Sequence, residues 1–133
     1  MCFLEIRCGH LRDAKILPPS NNAPSKDEVV KNTKRFAGIG MRIYVTEFDV
    51  NMHDSEGTDD ERDERQAQIY SDMLSACLEV GAEICPNFGF LGLIDRQSWY
   101  NGIGLEDADP LLFRSDYSPK PAFFAIREAF EKN

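Results

Sequence analysis

Apolar positions along this chain follow two rhythms. In residues 26–37, 61–80 and 121–131 they recur at helical intervals, and in residues 3–8, 42–50 and 88–94 they form short, nearly unbroken runs. The first helical stretch carries Val29, Val30, Thr33, Phe36 and Ala37. Ser25 and Glu28 before it have capping-box spacing, and Gly38 and Gly40 stop it. In the second, Ala67, Tyr70, Leu74, Cys77 and Leu78 line a stripe, flanked by Ile69, Met73 and Ala76. Glu61, Asp63 and Glu64 load its first turn, as the helix dipole favours, and Gly81 ends it. The third places Ala122, Ile126, Ala129 and Phe130 inward, with Pro121 at its first position.

The short runs read as strands. Residues 3–8 are the weakest and end at Gly9 and His10. Ile43, Tyr44, Val45 and Thr46 are β-branched or aromatic and follow Gly40. That run is apolar on both faces, which suits a buried parallel strand. Residues 88–94 are apolar throughout, and Gly89 and Gly92 within them suggest a close backbone approach or a bend. Strand and helix alternate, so the fold class is α/β, with parallel strands joined by helical crossovers. Residues 17–24, rich in proline and asparagine, read as a surface loop. Residues 51–60 are acidic, with Asp54, Glu56, Asp59 and Asp60, but lack the alternation and closing Glu of a calcium loop. They read as a solvated loop that includes His53, and no metal site is expected.

Chemistry gathers where the strands end. Glu47 and Asp49 close the central run, and residues i and i+2 of a strand point the same way. Carboxylates at the end of a buried strand are costly unless paired or used, although strand ends can also be wet. In α/β folds that end is where active sites sit. His10 occupies the matching place after the first strand, as a structural, solvated or working residue. Asp95, Arg96, Trp99 and Tyr100 follow the third. The two aromatics read either as core beneath a loop or as a stacking platform for sugar C–H faces.

Bulk properties narrow the partners. The chain has 133 residues, one domain's worth, with a formal net charge of −8. Without a basic patch, that charge argues against nucleic acid and anionic membranes. No apolar run approaches membrane-spanning length, and Glu5 and Arg7 interrupt the opening run too early for a secretory signal. The four cysteines, Cys2, Cys8, Cys77 and Cys85, show no zinc-site spacing. Cys77 and Cys85 are compatible with a disulfide or with two reduced core thiols.

Four segments in register resemble glycoside hydrolase family ten, the retaining xylanases. Residues 36–40 with 45–50 are similar to the region around the family's nucleophile, and residues 8–11 to the preceding strand end. Residues 90–99 are similar to its last-strand motif, and residues 110–113 with 117–123 to its carboxyl-terminal signature. The resemblance implies a partial (β/α)8 TIM barrel, with residues 1–133 supplying its last three parallel strands and their helices. It implies Glu47 as nucleophile, His10 hydrogen-bonded to it, and Asp49 orienting that histidine. Trp99, Asp95 and Arg96 would meet the sugar, xylan or xylo-oligosaccharide. Cys77 and Cys85 match a pair often bridged in secreted members. No cofactor is implied. A retaining glycosidase needs two carboxyl groups about 5–5.5 Å apart, one an ionised nucleophile and one a protonated acid.

The chain departs from that pattern in places. The family carries its acid on an earlier strand, in an Asn-Glu pair, and no such pair occurs here. A glutamine usual two before the histidine is Cys8, and a tryptophan usual in the last-strand motif is Leu91. Loss of the acid typically costs about 10²–10⁴-fold. The chain by itself is therefore expected to be inactive on xylan. The alternative is a non-catalytic remnant that binds sugar weakly or packs against a partner. Three strands of an opened barrel have two free edges. Marginal stability, self-association or a need for the rest of the barrel is expected, with Phe88, Phe90 and Leu93 lacking neighbours.

Overall fold

The computed structural model describes the backbone of residues 3–6 and, with side chains, residues 23–132. Cys2, Cys8, His10 and most of the loop expected over residues 17–24 lie outside the described residues. In chain order the elements are β1 (Phe3–Ile6), α1 (Lys26–Ala37), β2 (Arg42–Phe48), α2 (Asp59–Val80) and β3 (Asn87–Phe90). Two 3-10 turns (Asp95–Gln97 and Trp99–Ile103) and α3 (Pro121–Glu131) follow. The strands form one parallel sheet in the order β1-β2-β3.

Local chemistry sets the helix ends. Ser25 caps α1 through a reciprocal box with Glu28. Helix α2 starts at Asp59, two residues before the expected start, because Thr58 and Glu61 form a second box. Asp59 and Asp60 thereby join the dipole-favoured first turn rather than the loop. Strand β3 stops at Phe90 instead of running to residue 94. Gly92 leaves the extended region with φ 104°, and Ile94 bridges Phe113 instead. Phe130 is 56% exposed, not inward as expected. The inward stripe of α3 is Ala122, Ile126 and Ala129, and one more residue turns the helix by about 100°, carrying Phe130 off that face.

The core lies between the sheet and the helices. Phe48, Val50 and Met52 meet Tyr70, Met73 and Leu74 of α2 and Ala122, Ile126 and Ala129 of α3. Phe88 and Phe90 do not lack neighbours. They pack on this cluster, with ring centroids 5.2 Å from Phe48 and 6.1 Å from Tyr70 respectively. Leu93 is exposed. Tyr70 is fully buried and donates its hydroxyl to the Pro110 carbonyl at 2.7 Å. Burial holds its phenol well above the ordinary value, so it stays a donor. A disulfide joins Cys77 of α2 to Cys85 ahead of β3, with Cα atoms 5.4 Å apart.

One irregularity decides where the polar groups go. Val45 pairs with Phe88 but Phe48 pairs with Phe90, so β2 spends three steps against two on β3. This is a bulge with one extra residue. Side chains alternate between faces, so an extra residue switches which parity meets the helices. Before the bulge, Ile43 is buried and Val45 packs on the core; after it, Phe48, Val50 and Met52 do so. In an unbulged strand Glu47 and Asp49 would share the parity of Ile43 and Val45 and enter the apolar layer. Gly89 leaves room for the distortion. A Cβ there would meet the Thr46 carbonyl oxygen at 3.1 Å and that of Val45 at 3.4 Å. Asn87 Nδ2 donates to the Val45 carbonyl at 2.6 Å and ties the bulge at its entry.

Candidate active site

Glu47 and Asp49 sit at the carboxyl end of β2, both half-buried. The parity switch gives both the face opposite Phe48 and Val50. All three strands are parallel, so β1 and β3 present their carboxyl ends to the same rim. Among the described residues, the Glu47 side chain makes no hydrogen bond or ion pair.

Asp49 is gripped by the turn after β3. Trp99 Nε1 donates to Oδ2 at 3.3 Å, and the Tyr100 hydroxyl faces Oδ1 at 3.4 Å. The two rings lie 4.2 Å apart, tilted by 32°. Ser98 starts this turn, its hydroxyl accepting the Tyr100 amide at 3.2 Å. Burial, and then the adjacent Asp49 carboxylate, push the Tyr100 phenol well up from its ordinary value. Tyr100 is therefore a fixed donor at any ordinary pH. The polar edges of Trp99 and Tyr100 thus hold Asp49 in place. His10 lies outside the described residues.

Asp95 is placed differently from the expectation of a sugar contact. It is 5% exposed, with Oδ1 accepting the Leu111 amide at 2.8 Å and Oδ2 accepting Lys120 Nζ at 3.1 Å. Lys120 is fully buried and also donates to the Asp109 carbonyl at 2.6 Å. Burial raises the Asp95 carboxyl against the pull of Lys120, and burial lowers the Lys120 ammonium. A carboxylate with both oxygens engaged inward has no face left for a ligand. Arg96, next in sequence, is exposed; its guanidinium lies 4.6 Å over the Tyr117 ring and donates to the Tyr117 hydroxyl.

Three contributors escaped the sequence reading. Tyr100 was read for its ring, not as a donor to Asp49. Lys120 follows a proline and reads as a loop cation. Gln66 is polar in an apolar slot of α2, yet it is buried and donates to the Val50 carbonyl at 2.9 Å and the Asp109 carbonyl at 2.6 Å. Its amide fixes the stretch just beyond Asp49. Among the described residues, no group of three His, Cys, Asp or Glu side chains is placed to hold a metal ion.

The model of glycosyl hydrolase family 10 matches residues 19–129. Endo-1,4-beta-xylanase B of Thermotoga neapolitana is 35% identical over 102 residues, covering 77% of this chain and 29% of that protein. Native xylanase 10B from Thermotoga maritima superposes with a TM-score of 0.71 at 31% identity, covering 83% of this chain and 33% of its own. Xylanase 10B from Thermotoga petrophila, solved in complex with xylobiose, gives 0.71 at 33% identity with the same coverage. The chain spans about a third of the length of the relatives it matches. Sequence and fold agree over most of the described residues: this chain belongs to glycosyl hydrolase family 10.

Proposed function

We propose that this chain supplies the nucleophile-bearing part of a retaining endo-1,4-β-xylanase, its sheet being the last three strands of the barrel. The observation that carries this reading is the β2 bulge, which turns Glu47 and Asp49 out of the helix-facing layer at the active rim. Relatives named as endo-1,4-beta-xylanases and a neighbour solved with xylobiose support the substrate class.

Glu47 attacks the anomeric carbon of a xylosyl unit. The bond from that carbon to the leaving oxygen breaks as the bond to the Glu47 oxygen forms, and an acid protonates the leaving oxygen. Water then displaces Glu47, giving its proton to the same group acting as base, with net retention. His10 supports Glu47, and Trp99 flanks the sugar at the cleavage point. Arg96, stacked on Tyr117, is an outer sugar contact. Asp95, turned inward, leaves that set. No Asn-Glu pair occurs in the 133 residues, and we assign none of their carboxyls to the acid.

The test uses the single tryptophan, Trp99, as reporter. Xylo-oligosaccharides titrated into the chain should give a saturable change in its fluorescence, with soluble xylan turned over at background rate. A flat titration at millimolar ligand would remove the sugar site. Robust turnover would show that the acid lies within these residues after all.

A further inference from the structure

The geometry points to Lys120 as a positioning residue for Asp49, acting through Asp95 and the turn that carries Trp99 and Tyr100. The inference rests on the proposed role of the Glu47–Asp49 rim for its catalytic meaning, but its links are all on the fold.

Lys120 Nζ reaches two segments at once, the Asp95 carboxylate at 3.1 Å and the Asp109 carbonyl at 2.6 Å. The second Asp95 oxygen takes the Leu111 amide, and its backbone amide donates to the Phe113 carbonyl at 3.0 Å. The Asp95 carbonyl accepts from the Ser98 amide and from Asn101 Nδ2, both at 3.0 Å. Asp95 therefore anchors the start of the turn whose aromatic pair holds Asp49. On the other side, the Val50 amide donates to Pro110 and the Met52 amide to Ala108, at 3.1 and 2.7 Å. Residues 108–113 thus lie between the end of β2 and the Trp99 turn, and Lys120 ties that layer, through the Asp109 carbonyl, to the turn, through the Asp95 carboxylate. Apolar residues of similar volume often serve stability as well as a buried ion pair does. What an ion pair with these extra acceptors adds is register: one placement of the turn against residues 108–113, and so one placement of Trp99 and Tyr100 against Asp49.

The readout is the indole N–H crosspeak of Trp99 in a ¹H–¹⁵N spectrum, a single resonance in this chain. Asp49→Ala supplies the position of an indole that has lost this acceptor. Lys120→Met should move the crosspeak from the wild-type position toward that of Asp49→Ala. Should Lys120→Met leave a buried unpaired carboxylate and unfold, the double variant Lys120→Met with Asp95→Asn removes both charges and should show the same movement. A folded variant whose crosspeak coincides with wild type, even with a lower melting temperature, overturns the proposal and leaves a purely stabilising pair. The crosspeak reports a hydrogen bond, not hydrolysis. Failure of the xylan reading therefore leaves this result intact, and an unmoved indole leaves Glu47 as nucleophile intact.

Discussion

Replacing Gly89 by alanine tests the bulge at the point where the sheet makes room for it. The new Cβ would stand 3.1 Å from the Thr46 carbonyl oxygen and 3.4 Å from that of Val45. Both contacts are to backbone, and Asn87 already ties the Val45 carbonyl at 2.6 Å, so that oxygen cannot swing away freely. Overpacking of this kind costs about 1–3 kcal/mol. Alanine also removes freedom from the unfolded chain, worth about 0.4–1 kcal/mol in its favour. The net expectation is a loss centred on about 1.3 kcal/mol, within a range of about 0–2.6 kcal/mol. Gly102 is the control, since a Cβ there meets nothing within 4 Å. Urea titrations at fixed protein concentration should lower the midpoint of Gly89→Ala with an unchanged slope, and leave Gly102→Ala at or slightly above wild type. Equal stability of the two variants would refute the idea that the bulge depends on a bare backbone at position 89.

Further outcomes follow from the same geometry. Tyr70→Phe should cost about 0.5–1.5 kcal/mol in the same titration, since Pro110 loses the phenol but keeps the Val50 amide; a neutral change would mean that the hydroxyl is idle. Serine at both Cys77 and Cys85 should lower stability by about 2–3 kcal/mol, the chain-entropy value for a sequence separation of 8, and oxidised and reduced wild type melting together would contradict it. Backbone amides at Ser25 and Thr58 hold the Glu28 and Glu61 carboxyls below their ordinary value of 4.5. Depressed carboxyls bind fewer protons folded than unfolded, so their contribution is complete above pH 4.5 and is lost as pH falls below it. Helical circular dichroism should fall over that range, and an identical acid transition in the Glu28→Gln, Glu61→Gln double variant would count against the capping boxes as its source.

Much of the fold was legible because local chemistry and periodicity agreed. Ser25 with Glu28 marked the start of α1, and Pro121 that of α3. The start of α2 was missed because Asp59 and Asp60 look like loop acids until Thr58 is recognised as the cap. Strand β3 was read too long because Gly92 ends it by conformation, which an apolar run does not reveal. Glu47 and Asp49 stood out as carboxylates at a strand end. What the sequence could not show is that the strand changes face between Val45 and Phe48, since that run is apolar on both sides and either phase buries something. The inward placement of Asp95 leaves no local signal for a related reason: its partner Lys120 is 25 residues away, and burial of both is a product of packing. Tyr100 and Gln66 act through long-range bonds to Asp49 and Val50, and neither leaves a local pattern.

The most direct test of Glu47 as an outward-facing nucleophile is covalent trapping. A 2-deoxy-2-fluoro-xylobioside with a dinitrophenolate leaving group needs no acid for the first displacement, so the missing Asn-Glu carboxyl does not prevent it. Peptide mass spectrometry should find one xylobiosyl adduct, on the peptide containing Glu47, and none in Glu47→Gln. An adduct on another carboxylate, equal labelling of Glu47→Gln, or no adduct on folded protein would contradict it.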